Sequence, residues 1–150
     1  MFRGINAINL DAKGRLAVPA RYRQSIETVA QGHLVVTIDT EDPCLLMYPL
    51  PVWEEIERRV QALPALNAAV RRVQRLLIGH ATEVEIDANG RILLPSELRE
   101  YAQLDKKVTL IGLANKFELW SESVWHESRD RWLASDANGV LPPELMSIIL

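Results

Sequence analysis

Cysteine is all but missing from this sequence of 150 residues: Cys44 stands alone. That excludes an internal disulfide framework and fits a reducing compartment, with the thiol expected to be a small inert hydrophobe. Long apolar runs are missing too. None approaches the roughly 20 residues a membrane-crossing helix needs, and the opening MFRGINAINLDAKGR is too polar for a secretory leader. A cytoplasmic protein without a membrane partner is expected. Charge of one sign is also lacking, since 17 Lys and Arg against 20 Asp and Glu leave a formal −3, which on average argues against a polyanionic partner. Histidine is scarce, and His33, His80 and His126 fall in separate segments with no metal-ligand spacing. No serine carries a nucleophile elbow, and Glu83, Glu85 and Asp87 alternate with apolar residues as on the wet face of a strand. No catalysis, metal, cofactor or small-molecule substrate is therefore expected. The four tryptophans lie in or beside helix signals, which suits core packing better than stacking on bases.

What is present is a repeat. DAKGRLAVPARYR, Asp11 to Arg23, returns as DANGRILLPSELR, Asp87 to Arg99, with six of thirteen positions identical. Downstream features recur in the same order. LVVTI (34–38) and LLMY (45–48) in the first half answer to VTLIG (108–112) and FELW (117–120) in the second, and each half then reaches Val-Trp, at 52–53 and 124–125. The offset is 76 residues at the motif and 72 at Val-Trp. Two colinear halves that share one core account for this better than chance does.

Within a half the local signals predict strand, turn, strand, helix and two strands. NAINL (6–10) and TEVEI (82–86) alternate with period two. Asp and Gly then occupy the first and fourth positions of a turn, followed by short strands over 15–18 and 91–94. Pro19 and Pro95 suit a first helical position. Tyr22, Ile26 and Val29 share one helical face, and Gly32 supplies a stop. Between the halves, Pro64 divides a helix over 52–63, with Ile56, Val60 and Leu63 on one face, from one running from Asn67 toward His80. One more helix, VWHESRDRWLAS, precedes a tail holding Asn138, Gly139, Pro142 and Pro143.

The shared Asp, Gly and Arg admit an architectural reading: a capped turn, a left-handed glycine and a paired arginine. The unshared residues carry the functional one. From Met1 to Gln24 the local charge is +4, through Arg3, Lys13, Arg15, Arg21 and Arg23 against Asp11; from His80 to Gln103 it is −3. Lys13, Arg21 and Tyr22 in the first copy stand where Asn89, Glu97 and Leu98 stand in the second. A turn presenting Lys13 and Arg15 suits a polyanion, with one cation on phosphate and the Arg fork on a guanine edge. A single such turn would bind weakly, so specific binding needs several copies. Arg58, Arg59, Arg71, Arg72 and Arg75, with Glu54, Glu55 and Glu57 close by, suit a solvated or subunit-bridging helix face.

Asp-x-x-Gly-Arg with Pro four residues on, present twice, together with MFRG and RRVQRLLIGHA, resembles the MraZ family of bacterial transcriptional regulators with two SpoVT-AbrB-type repeats. The resemblance runs from Met1 to about His126. It implies an α+β fold in which two swapped-hairpin repeats form an intramolecular pseudo-dimeric β-barrel with flanking helices. Expected segments are repeat one at 5–51, an inter-repeat helical segment at 52–78, repeat two at 79–123 and a C-terminal helix and tail at 124–150. It further implies a ring-like homo-oligomer that binds short repeated sites on double-stranded promoter DNA in the nucleoid, repressing its own promoter and the division and cell wall gene cluster. The DNA-contacting turn carries over to Lys13, Gly14 and Arg15, with Arg3 as an arm residue; Asp11, Asp87, Gly90 and Arg91 are expected to be structural turn residues. Antitoxin-like modules of the same fold and ring-forming scaffolds are the alternatives.

Overall fold

The computed structural model describes residues 1–135 and 141–148; the expected tail lies outside them at 136–140 and 149–150. Each half opens on an alternating strand, β1 (Phe2–Asn9), with its counterpart β5 (Thr82–Glu85). A turn and a short strand follow, β2 (Arg15–Ala17) or β6 (Arg91–Leu93), then a helix, α1 (Ala20–Ala30) or α4 (Ser96–Tyr101). Two longer strands complete each unit: β3 (His33–Ile38) and β4 (Leu45–Pro49), against β7 (Lys107–Ala114) and β8 (Lys116–Ser121).

Three local details around α1 differ from the sequence expectations. Pro19 is the N-cap and not the first helical residue: at φ −53° and ψ 137° it remains extended while its carbonyl accepts the Tyr22 N–H at 3.0 Å. The buried stripe of α1 is Tyr22, Ile26 and Ala30; it centres on Ile26 and leaves Val29 on the rim, 53 % exposed. Gln31, not Gly32, takes the first left-handed position after α1, at φ 54°, where its N–H reaches the Glu27 carbonyl.

All the strand pairs are antiparallel. The six-stranded sheet runs β1-β7-β8-β4-β3-β5, so β1 of the first half pairs with β7 of the second, and β5 of the second with β3 of the first. The exchange is symmetric. At the sheet centre Leu46 faces its repeat counterpart Glu118, and in the separate β2–β6 ribbon Leu16 faces its counterpart Ile92. A pseudo-twofold axis therefore passes through both places. Paired backbone bonds obey it: Val18 N–H donates to the Gly90 carbonyl at 2.9 Å and Leu94 N–H to that of Gly14 at 2.8 Å. Since β1 and β5 end the sheet unpaired to each other, the barrel implied by the resemblance is not closed by strand pairing.

The ribbon, α1 and α4 cover the inner face instead. Leu16, Ile26, Ile92, Leu94 and Leu98 pack there against Leu34, Met47, Leu110, Phe117 and Leu119 in one continuous core. Phe2, Tyr22 and Phe117 form an aromatic triangle within it. Burying each such aliphatic side chain contributes roughly 1.5–3 kcal/mol before entropy. The outer face is covered half by half. Helix α2 (Leu50–Gln61) sets Trp53 on Val35, Leu46 and Tyr48, whereas α5 (Glu122–Ala134) brings Val124 and Trp125 onto Ile111 and Trp120. Leu63, beyond the end of α2, is 47 % exposed rather than on the covered face. The expected single helix from Asn67 is α3 (Ala68–Val73), capped by the Asn67 side chain, followed by a π-helical turn over Gln74–Ile78. Thr37 Oγ1 donates to the Leu77 carbonyl at 2.6 Å and His80 Nδ1 bonds that of Leu76 at 2.7 Å, so two carbonyls left open by the helix end keep partners. A short helix, α6 (Pro143–Met146), lies in the described part of the tail.

Candidate nucleic-acid interface

The two Asp-x-x-Gly-Arg turns are nearly superposable in their bonding. Asp11 Oδ1 accepts the N–H groups of Lys13 and Arg15, both at 2.9 Å, and Oδ2 accepts Arg15 Nε at 2.8 Å. Gly14 closes the turn onto the Asp11 carbonyl at 3.0 Å, at φ +90°, where a side chain would be strained. The second copy repeats this with Asp87 Oδ1 accepting from Asn89 and Arg91 at 2.8 and 2.9 Å, and with Gly90 at φ +75°. The Arg15 backbone N–H, then its side chain and the Lys13 N–H, hold the Asp11 carboxyl down at about 2; Asp87 is lowered by the equivalent Arg91 N–H. One difference separates them. Arg91 Nε lies 3.6 Å from Asp87 Oδ2 and is the one buried side-chain nitrogen or oxygen among the described residues without a hydrogen-bond partner.

Strand alternation in the ribbon sends Leu16 and Ile92 into the core, each 1 % exposed, and turns Arg15, Ala17, Arg91 and Leu93 outward. Arg15 pairs across with Leu93, and Ala17 with Arg91, so the two arginines are diagonal neighbours, within reach of one another's long side chains. Both turns thus flank one outward face of the ribbon, which carries Arg15 from the first copy and Arg91 from the second.

Strand exchange also redistributes the charges that separated the copies in sequence. Lys13 lines a groove of about 460 Å³ together with Glu83, Glu85 and Arg99 of the second half. Beneath the second turn, a groove of about 620 Å³ is lined by Ala17, Arg23 and Ile5–Asn9 and contains no acid. Arg21 and Tyr22 do not face the turn at all. Tyr22 is 5 % exposed; its hydroxyl donates to the Arg3 carbonyl at 2.6 Å and accepts from Arg21 Nη2 at 2.9 Å and Asn6 Nδ2 at 3.0 Å, with Arg21 also bonded to Asn6 Oδ1. They clamp β1. The Arg3 side chain is exposed at the opposite end of β1 from the turn, roughly 25 Å away at about 3.3 Å per strand residue. Within one chain it does not join Lys13 and Arg15.

A family model described as "MraZ protein, putative antitoxin-like" matches twice, over residues 1–76 and 77–137. The chain belongs to the MraZ family. Curated relatives within it include a "Transcriptional regulator MraZ" of Coxiella burnetii (strain RSA 493 / Nine Mile phase I), 58 % identical with all of both chains covered. One of Legionella pneumophila (strain Paris) is 55 % identical and one of Halorhodospira halophila (strain DSM 244 / SL1) 56 %, again over all of both chains. The boundary between the two MraZ matches falls inside the π-helical turn, between the elements that cover the two halves.

Away from the ribbon, two of the arginines noted in the sequence have structural partners. Arg58 forms a two-point bond with Glu55 at 2.6 and 3.2 Å, and Arg71 donates to the Ala65 and Leu66 carbonyls. Asp39, Cys44 and Glu118 bring one possible ligand atom each within 4.8 Å of one another, a grouping that sequence spacing does not reveal because β8 supplies Glu118 from the other half. Each is otherwise engaged. Asp39 Oδ1 accepts the Glu41 and Asp42 N–H groups, Glu118 Oε1 accepts Trp120 Nε1, and burial first, then the neighbouring carboxylates, push the Cys44 thiol far up and keep it protonated.

Proposed function

We propose that this protein is a DNA-binding transcriptional regulator of the cytoplasm and nucleoid, whose DNA-contacting surface is the exposed face of the β2–β6 ribbon with its two turns. The observation that carries this reading is the outward pair Arg15 and Arg91, each carried on a turn tied down by an aspartate. Arg15 reads a base edge or grips a phosphate, Lys13 beside it contacts phosphate, and Gly14 lets the backbone approach closely. Arg91, turned outward on the same face of the ribbon, reinforces the same surface from the second copy. Relatives at 55–58 % identity bear the name transcriptional regulator, and that name supports the reading.

One ribbon supplies few contacts, and each phosphate contact adds a modest, salt-sensitive increment. A ring-like homo-oligomer that sets several ribbons on short repeated sites multiplies them, because later contacts form at high effective concentration. The promoter of the protein's own gene and the division and cell wall cluster are the proposed targets, with repression the proposed effect. The test is binding to the fragment upstream of its own gene at two salt concentrations, comparing wild type with Arg15→Ala and Arg91→Ala. Arg15→Ala should abolish site-specific binding with the oligomer intact, and Arg91→Ala should weaken it by a smaller factor. Retained specificity in a folded Arg15→Ala protein would overturn the assignment.

A further inference from the structure

We propose that the outer face of β1 and β7, around Ile5 and Leu113, is the docking site for residues 141–148 of a second copy; this rests on the homo-oligomer in the reading above and names a contact that builds it. The repeat points to the place. In the first half two successive segments cover the outer face: α2 lays Trp53 on Val35, Leu46 and Tyr48, and the π-helical turn adds Leu77 and Ile78, with Ala81 just beyond it. In the second half α5 covers Ile111 and Trp120, but the segment that follows it, 141–148, is exposed throughout. Ile5 stands 76 positions before Ala81, which is the offset of the repeated motif, so the two are counterparts. Ala81 packs against its cluster, whereas Ile5 is 61 % exposed.

Strand register makes the uncovered strip continuous. Ile5 faces Ile111 across β1 and β7, Arg3 faces Leu113, and Leu113 in turn faces Lys116 of β8. Ile5 and Leu113 are therefore diagonal neighbours on either side of the buried Ile111, and Leu113 is 41 % exposed. Trp125 rests on Ile111 and carries the strip on to the exposed Trp132, at a centroid distance of 6.0 Å. A contiguous apolar strip with a charged border marks a contact surface.

What fits the strip is the segment that α5 leads into. Six residues, 62–67, separate α2 from α3, and eight, 135–142, separate α5 from α6, so residues 141–148 hold in the second half the chain position that α3 and the π-helical turn hold in the first. They bring matching apolar side chains, Leu141, Leu145, Met146 and Ile148, all of them exposed. The charges match as well. Arg3 and Lys116 border the strip, and neither forms an ion pair among the described residues, while Glu144 is the one charged residue of 141–148. Strip and segment are uncovered in the same chain at once. Two different surfaces that complement each other make a head-to-tail contact, the kind from which rings close.

Introduced cysteines test the contact, since Cys44 is fully buried and stays out of the reaction. Full-length copies carrying Ile5→Cys under one tag are mixed with copies carrying Leu145→Cys under another, left to exchange, and oxidised with diamide. A covalent dimer bearing both tags is expected, and a chain carrying both substitutions should give a ladder of covalent multimers. Leu145→Asp should remove the assembled species in sedimentation at a concentration where wild type shows nothing smaller, with the circular dichroism spectrum unchanged. Val29→Asp, at an exposed aliphatic position on α1, should leave the assembly intact. If the doubly substituted chain only cross-links within itself, the segment covers its own strip and the proposal fails. It fails equally if wild type assembles and no cross-link forms. A wild type that sediments as a single chain removes the oligomer itself, and with it the account of many ribbons on one duplex, which is a different result from an assembly built without this contact.

Discussion

Tyr22→Phe separates a structural role from a DNA-contacting one at a residue that the repeat comparison had grouped with Lys13. The substitution keeps the ring in its triangle with Phe2 and Phe117, whose centroids lie 5.8 and 5.0 Å away. It removes only a hydroxyl that takes part in three hydrogen bonds, to the Arg3 carbonyl and from Arg21 and Asn6. Asn6 Nδ2 retains the Leu110 carbonyl at 3.2 Å and Arg21 retains Asn6 Oδ1, so the main loss is the short bond to Arg3 together with weakened order at Asn6. At about 0.5–1.5 kcal/mol per net bond, with two donors partly compensated, the cost is about 2 kcal/mol. For a chain of this size that lowers Tm by roughly 4–8 °C. Amide hydrogen exchange should quicken along β1, from Arg3 to Ala7, and much less in β4 or β8. The salt slope of duplex binding should not change. An unchanged Tm together with a flattened slope would refute the clamp and return Tyr22 to the DNA-contacting set.

Gly112→Ala tests the strand exchange itself. A Cβ there would stand 2.6 Å from Arg3 N and 2.9 Å from the Phe2 carbonyl carbon, backbone atoms that cannot swing aside, so the first residues of β1 should leave the sheet at a cost of about 2 kcal/mol; full exchange protection at Arg3 and Ile5 in the variant would contradict it. Acid titration tests the turn. Because the Asp11 carboxyl is held at about 2 against an ordinary 3.8, its contribution to stability is fully present above pH 3.8 and is lost as pH falls toward 2. Carboxyl-carbon NMR should place the Asp11 midpoint near 2 and move it upward in Arg15→Gln; a midpoint at 3.8 in the folded wild type would show that the turn bonds do not hold.

Features specified by near neighbours could be read from the sequence. The Asp-x-x-Gly turn, the alternation of β1 and β5 and the Pro64 break all depend on residues a few positions apart. What escaped was set by distant chain. No window of sequence says that β1 pairs with β7 and not with β3, so the charge contrast between the copies was read as a contrast between surfaces. Once the strands are exchanged, Lys13 lies in a groove with Glu83 and Glu85. The same exchange places Arg99 over Gly14 and leaves Arg21 and Tyr22 on β1. The π-helical turn was invisible because its stabilising partner Thr37 lies 40 positions away.

The exchanged first strand also fixes when this chain can fold during its synthesis. Asn6 emerges early from the ribosome, yet the carbonyl it bonds, Leu110, follows 104 residues later. At about 5–20 residues per second the interval is roughly 5 to 20 seconds. Throughout it, β1 has no strand to pair with in the sheet, only the Arg21 and Tyr22 side chains to bond. A sheet closed only by its last third cannot be assembled piecemeal, so translation stalled before β7 would yield no half-regulator, only an open edge available to any other strand.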